Sequence, residues 1–177
     1  MRLFKYEGYS LGISEEALCL KPFRQIWVRD KSEKKERAIM ELGYCYFMED
    51  PRSDYQYIID REERSKAIKE GEGLRDSWQP DGTVKQAMEL YSSFKTTSAL
   101  LLEDTRAMVD GYRSKLREMT SSMKDLDVKE VKEIGAIIKQ IPSMVKDLDE
   151  AEKAITKEIT QSDKARGAAD KAMYEDM

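Results

Sequence analysis

Apolar positions follow two different rhythms along this chain. Beyond Thr83 they recur in steps of three and four, the period of an α-helix with one buried stripe. The first such seam reads Val84, Ala87, Tyr91, Phe94, Ser98, Leu101, Thr105, Met108 and Tyr112. Met88, Leu102, Val109 and Leu116 widen it into a face suited to more than one neighbouring helix. The period breaks over residues 120–127, TSSMKDLD, and Asp127 with Glu130 has the spacing of a capping box. A second seam follows through Ile134, Ile138, Ile141, Val145, Leu148, Glu152, Ile155 and Ile159. At ~1.5–3 kcal/mol for each apolar side chain fully buried, its gross gain is on the order of 10–20 kcal/mol. A lone helix recovers none of that, so this face has a partner. Pro142 lies inside the seam, and since the register continues across it a kink is expected rather than a break. The two segments predict an antiparallel αα-hairpin with arms of ~35 residues and ~50 Å.

Before residue 82 the apolar runs are short and rich in rings. Asp30 and Glu33 have capping-box spacing and predict a helix running to about Asp50, with Ala38, Ile39, Leu42, Cys45 and Tyr46 as its stripe. From Tyr44 to Met48 the apolar residues surround the axis, so that end is expected to be enclosed by protein. Pro51 closes the element, because the residue before a proline is pushed out of helical geometry. Asp60 and Glu63 predict a second helix, with Gly71 as a left-handed C-cap. Ser14 opens a short helical turn ended by Pro22, while residues 23–28 are ambiguous between strand and helix. Residues 1–12 read as a strand or an arm, packed on this chain or lent to a neighbour. Pro80-Asp81-Gly82 marks a loop and a domain boundary. The expected fold is therefore all-α, with a small aromatic-rich helical domain over residues 1–82. A long helical hairpin with a C-terminal tail follows over residues 83–177.

Composition sharpens this picture. Charged residues make up 37% and mean hydropathy is -0.70, as in long-helix and coiled-coil proteins. Eleven of the fifteen aromatic residues precede residue 80, which places the globular core in the N-terminal half. The net charge of -4 is spread over both halves, without the basic stripe of a duplex-binding domain. No apolar run is long enough to span a membrane, and the N-terminus lacks the layout of a signal peptide. Cys19 and Cys45 are expected to be reduced thiols.

Phosphate-cradling, nucleophile-elbow and dinucleotide motifs are all missing, and with no histidine the commonest general base is missing too. The repeated tripeptide at Asp125/Asp127 and Asp147/Asp149 lacks the spaced oxygen ligands and glycine of a calcium loop, and reads as solvated helix surface. No catalytic residue, cofactor or metal ligand is expected.

Several features between residues 22 and 55 carry a resemblance. They are Pro22-Phe23, Ile26-Trp27, Arg29-Asp30-Lys31-Ser32, Glu41-Leu42, Tyr46-Phe47 and the run from Asp50 to Tyr55. This stretch, under a third of the chain, resembles portal-attached ring proteins, or head–tail connectors, of crAss-like tailed phages. The resemblance implies a structural virion protein made in the host cytoplasm and forming a dodecameric ring. Its implied partners are the portal protein and other virion proteins, with no specific nucleic-acid binding. A scaffolding or chaperone-like coiled-coil adaptor fits the helical half equally well, and a carboxylate-based metal enzyme is the remaining class. The residues singled out for protein interfaces are Trp27, Tyr55, Tyr57, Ile134, Ile138, Ile141, Val145, Leu148, Ile155 and Ile159. The Tyr55–Ile59 connector is read first as a seal over the small core and second as a partner face.

Overall fold

The computed structural model describes residues 3–7, 10–121 and 128–175. For Tyr6, Glu7, Ser10, Glu130, Ile159 and residues 162–175 the description stops at the backbone. The chain is mainly helical, in two compact units, Met1–Lys95 and Thr96–Met177. That division differs from the boundary expected at Gly82. Asp81 caps α5 (Gly82–Ser92) instead, accepting from the Thr83 and Val84 amides at 3.0 Å. Val84, Ala87, Met88 and Tyr91 of α5 then bury themselves in the N-terminal core.

In the first unit, β1 (Phe4–Glu7) and β2 (Ser10–Ile13) form an antiparallel hairpin, pairing Phe4 with Ile13. The arm packs on its own unit: Leu3 and Phe4 are fully buried, and the Phe4 ring meets Phe23 and Tyr91 edge-on at 5.7 and 5.1 Å. Ser14 caps α1 (Glu15–Cys19) by accepting from the Ala17 amide at 3.2 Å. Pro22 does not merely stop that turn. It sits in the first turn of α2 (Lys21–Arg29), where its missing N–H costs nothing, and α2 buries Phe23 and Ile26.

α3 (Glu36–Glu49) is the centre of this unit. It starts later than Asp30 and Glu33 imply, at Lys35 in the left-handed region (φ 53°). Asp30 still caps it, from eight residues away. One carboxylate oxygen accepts from the Ala38 amide and the other from the Ser32 amide, both at 2.9 Å. Every residue from 41 to 50 is buried, so the enclosure expected of residues 44–48 extends further in both directions. α4 (Arg61–Gly71) begins at Asp60, whose carboxylate accepts from the Glu62 and Glu63 amides. The left-handed glycine after it is Gly73 (φ +69°) rather than Gly71. Gly71 is small for another reason: a Cβ there would stand 2.2 Å from the Tyr55 hydroxyl.

The second unit consists of α6 (Thr97–Ser121) and α7 (Val128–Glu175). Paired residues run in opposite senses along them: Thr96 with Glu158, Arg106 with Glu152, and Lys115 with Glu133. The expected equal arms are unequal, at 25 and 48 residues, and α7 continues through Pro142 without a break. The seam read as one run from Val84 to Tyr112 is interrupted at residues 93–96, where the Thr96 hydroxyl accepts from the Ala99 amide at 3.3 Å. The turn expected over residues 120–127 and its Asp127 cap lie largely outside the described residues.

Asp30 generates a pH prediction. Its two amide bonds, that to Ala38 foremost, bring the carboxyl down from its ordinary 3.8 to about 2. A depressed folded value means a stabilisation complete above about pH 4 and lost as the pH falls through about 2. Asp30→Asn should therefore lower the thermal midpoint most near neutrality, with the gap to the parent chain closing towards pH 2. A midpoint difference that stays constant with pH would show that the Asp30 charge plays no part.

Candidate interaction surface

α7 carries more apolar surface than α6 covers. Ile134, Ile137, Met144, Ala151 and Ile155 are buried, and Leu148 packs beside Ala99 and Leu102 of α6. These positions step by three and four through residue 141, giving a seam offset from the one read in the sequence. The two readings share Ile134, Ile141, Leu148 and Ile155. They differ at the intervening positions, where the structure buries Ile137, Met144 and Ala151 instead of Ile138, Val145 and Glu152. Glu152 was the available signal: a seam passing through Ala151 carries no charge, whereas the alternative must bury one.

Ile138 and Val145, read as seam, are thus corrected to surface, while Ile141, common to both seams, is only partly covered. Ile138 and Val145 are each 55% exposed, and Ile141 is 38% exposed at the edge of the contact. Val131, seven residues before Ile138, is 56% exposed and continues the same strip. The side chain of Ile159 lies outside the described residues. On α6 the inward face is Leu102, Thr105, Val109, Tyr112 and Leu116, so Leu101 and Met108 face away from it, both more than half exposed. With Met144, Ala151 and Ala154 they line a shallow groove along the other edge of the pair.

The candidates in the first unit separate similarly. Trp27 is half-buried against the core, with the Lys35 ammonium 5.9 Å from its ring centroid. Tyr55 packs edge-on to Phe47 at 5.3 Å and donates its hydroxyl to Glu72 at 2.9 Å, so it seals the core. Tyr57 is 74% exposed and is the residue of that connector with most surface to offer.

Four buried carboxylates were not recognised as such in the sequence. Glu41 accepts from Arg37 at 2.9 Å and from Arg29, whose other nitrogen reaches Asp81 at 2.5 Å. Glu49 is paired with Arg61 and with Lys95 at 2.9 Å. Asp50 takes a two-pronged contact from Arg52 at 2.6 and 2.8 Å, and the Tyr91 hydroxyl at 2.5 Å. Burial pushes the Asp50 carboxyl up, but Arg52 and Tyr91 outweigh it and hold the group below the usual range. Burial, with Asp50 beside it, pushes the Tyr91 hydroxyl up, and burial does the same to the Cys45 thiol. Asp30 is the fourth, held by amides. Glu41, Glu49 and Asp50 are compensated by cations and Asp30 by amides, so none is left as a bare buried charge.

Among the described residues no group of three acidic or cysteine side chains converges as a metal site, and no helix is long and apolar enough to cross a membrane. Cys19 is exposed and Cys45 buried, both unbridged. At the level of class, this is an all-α protein with surplus apolar helix surface. No family model, curated protein or solved structure matches the chain.

The corrected register is directly testable. Ile137→Asp should cost about 2–4 kcal/mol, somewhat less than burial of a charge in a deep core because a two-helix contact lets the carboxylate turn towards water. Ile138→Asp should change the stability of the isolated chain by no more than about 0.5 kcal/mol. Denaturant titration decides between the two seams, and the reverse ranking would restore the one through Ile138.

Proposed function

We propose that this chain is a non-catalytic structural subunit of a multi-copy assembly: a dodecameric ring bound to the portal at the head–tail vertex of a tailed phage. The observation that carries the assembly reading is the exposed strip Val131, Ile138, Ile141 and Val145 on α7. Contiguous apolar surface bounded by charge marks a contact between proteins. The resemblance of residues 22–55 to portal-attached ring proteins narrows that reading to the virion. The aromatic core around α3 supplies a stable body, and α7 supplies contacts with other copies or with the portal protein. An acidic net charge of -4 suits a passage for DNA, since tight duplex binding draws on cations that displace phosphate counterions. Rings of one chain type arise from heterologous interfaces whose rotation closes.

Purified alone and with its portal protein, the chain should form or join a ring of discrete mass in light scattering or native mass spectrometry. It should also leave duplex DNA unbound at moderate salt. A monomer indifferent to the portal protein, or one that binds duplex tightly, would contradict the proposal.

A further inference from the structure

The strip on α7 has a regular row of lysines along one border. Val131, Ile138 and Val145 recur at intervals of seven, and each is followed at once by an exposed lysine: Lys132, Lys139 and Lys146. Between the two rows lie Gly135 and Pro142, short residues that raise no barrier, and a Cβ added at Gly135 would meet open space. The opposite border comes from α6. Arg106 reaches across to Glu152, which is seven residues beyond Val145 and so belongs to the same edge. Arg113, seven residues beyond Arg106, is exposed on that edge and comes no nearer than 4.0 Å to Asp110. The acidic groups on this edge are largely taken, Glu152 by Arg106 and Asp149 by Lys153, while Lys146 lies 3.5 Å from Glu150. A narrow β-branched strip is thus left between a row of three exposed lysines on α7 and, on α6, an edge where Arg106 is matched by Glu152 and Arg113 stands near Asp110.

We infer that this edge docks an acidic amphipathic helix of a partner protein, laid along α7 and completing a three-helix contact. The inference deepens the assembly reading by naming the chemistry of the partner, and it rests on that reading. An interval of seven is what a second helix matches with its own apolar seam, each branched side chain entering a gap between four residues of the neighbour. A strand would present side chains at intervals of two. A membrane surface favours a broad face with Trp, Phe or Leu rather than a strip one residue wide. Duplex DNA would satisfy the lysines but leave the isoleucine and valines in water. From Val131 to Val145 the strip is ~21 Å long, room for about four turns of partner helix. The lysine row selects acidic residues flanking that helix's seam and discourages basic ones.

The test uses the full chain and a synthetic helix of roughly three heptads, with leucine and isoleucine on its seam and glutamate on both flanks. A second peptide carries lysine in place of the glutamates. In fluorescence anisotropy at moderate salt, the acidic peptide should bind at least about tenfold more tightly than the basic one. Ile138→Asp should abolish binding while the chain keeps its thermal midpoint. The triple variant Lys132→Glu, Lys139→Glu, Lys146→Glu should invert the preference between the peptides. Equal binding of both peptides, or a triple variant that fails to invert it, would overturn the inference. So would binding only to phosphatidylserine vesicles, only to duplex DNA, or only to a second copy of the chain. Ring formation with the portal protein is measured separately, so a chain that assembles yet ignores the acidic peptide loses this inference and keeps the assembly reading.

Discussion

Burying α3 is the constraint on which the first unit depends. A helix enclosed on all sides from residue 41 to residue 50 must bury whatever polar groups its sequence contains, and here these are Glu41, Glu49 and Asp50. An isolated carboxylate taken out of water costs several kcal/mol even after relaxation, so each needs a cation or donor in good geometry. The neighbouring elements supply them: Arg29 from α2, Arg61 from α4, Arg52 and Lys95 from the segments after α3 and α5, and the Tyr91 hydroxyl from α5. Among the described residues no buried side-chain nitrogen or oxygen lacks a partner. Such pairs add little net stability over an apolar core, but removing one partner leaves a buried charge uncompensated. They therefore specify which elements surround α3 more than they hold them there.

Chain segments also contribute polar groups to this helix's last turn. Arg64 donates to the Met48 carbonyl at 3.1 Å and to the Ile58 carbonyl at 2.7 Å, and the Ser53 hydroxyl donates to the Phe47 carbonyl at 3.0 Å. The connector of residues 50–60 is held by these bonds and by Tyr55, which is why a segment without regular structure closes the core. Its apolar content was legible in the sequence; its role as a polar clamp on α3 was not.

Local signals were read most faithfully where one residue acts on its immediate neighbours. Ser14 and Asp60 cap the helices expected of them, Pro51 follows the end of α3, and the apolar residues at 44–48 are enclosed. Signals with more than one geometric outcome were harder. Asp30 has the spacing of an adjacent cap but acts across an intervening turn, because Lys35 takes the left-handed conformation and delays the helix. The break after α5 contains neither proline nor glycine, and its cues were hydroxyl residues such as Ser93 and the capping Thr96 inside a run that otherwise keeps helical period. In α7 two apolar seams one residue apart overlap at every seventh position. Spacing alone cannot rank them, and the surplus seam is the very feature that makes the surface of interest.

The two units differ in how completely they bury their apolar residues. Around α3, side chains such as Phe23, Ile26, Leu42 and Cys45 have no exposure at all, whereas the α6–α7 contact is one layer thick and its best-buried members retain a few per cent. Local stability should follow burial. The chain joins an enclosed body to a helical pair with apolar surface in reserve, and native-state hydrogen exchange on the chain alone distinguishes the two. Amides of residues 42–49 should exchange only through global opening, while those of residues 131–150 should exchange through a separate opening of lower free energy. Uniform protection across both stretches, or slower exchange in α7 than in α3, would show that the two units do not differ in this way.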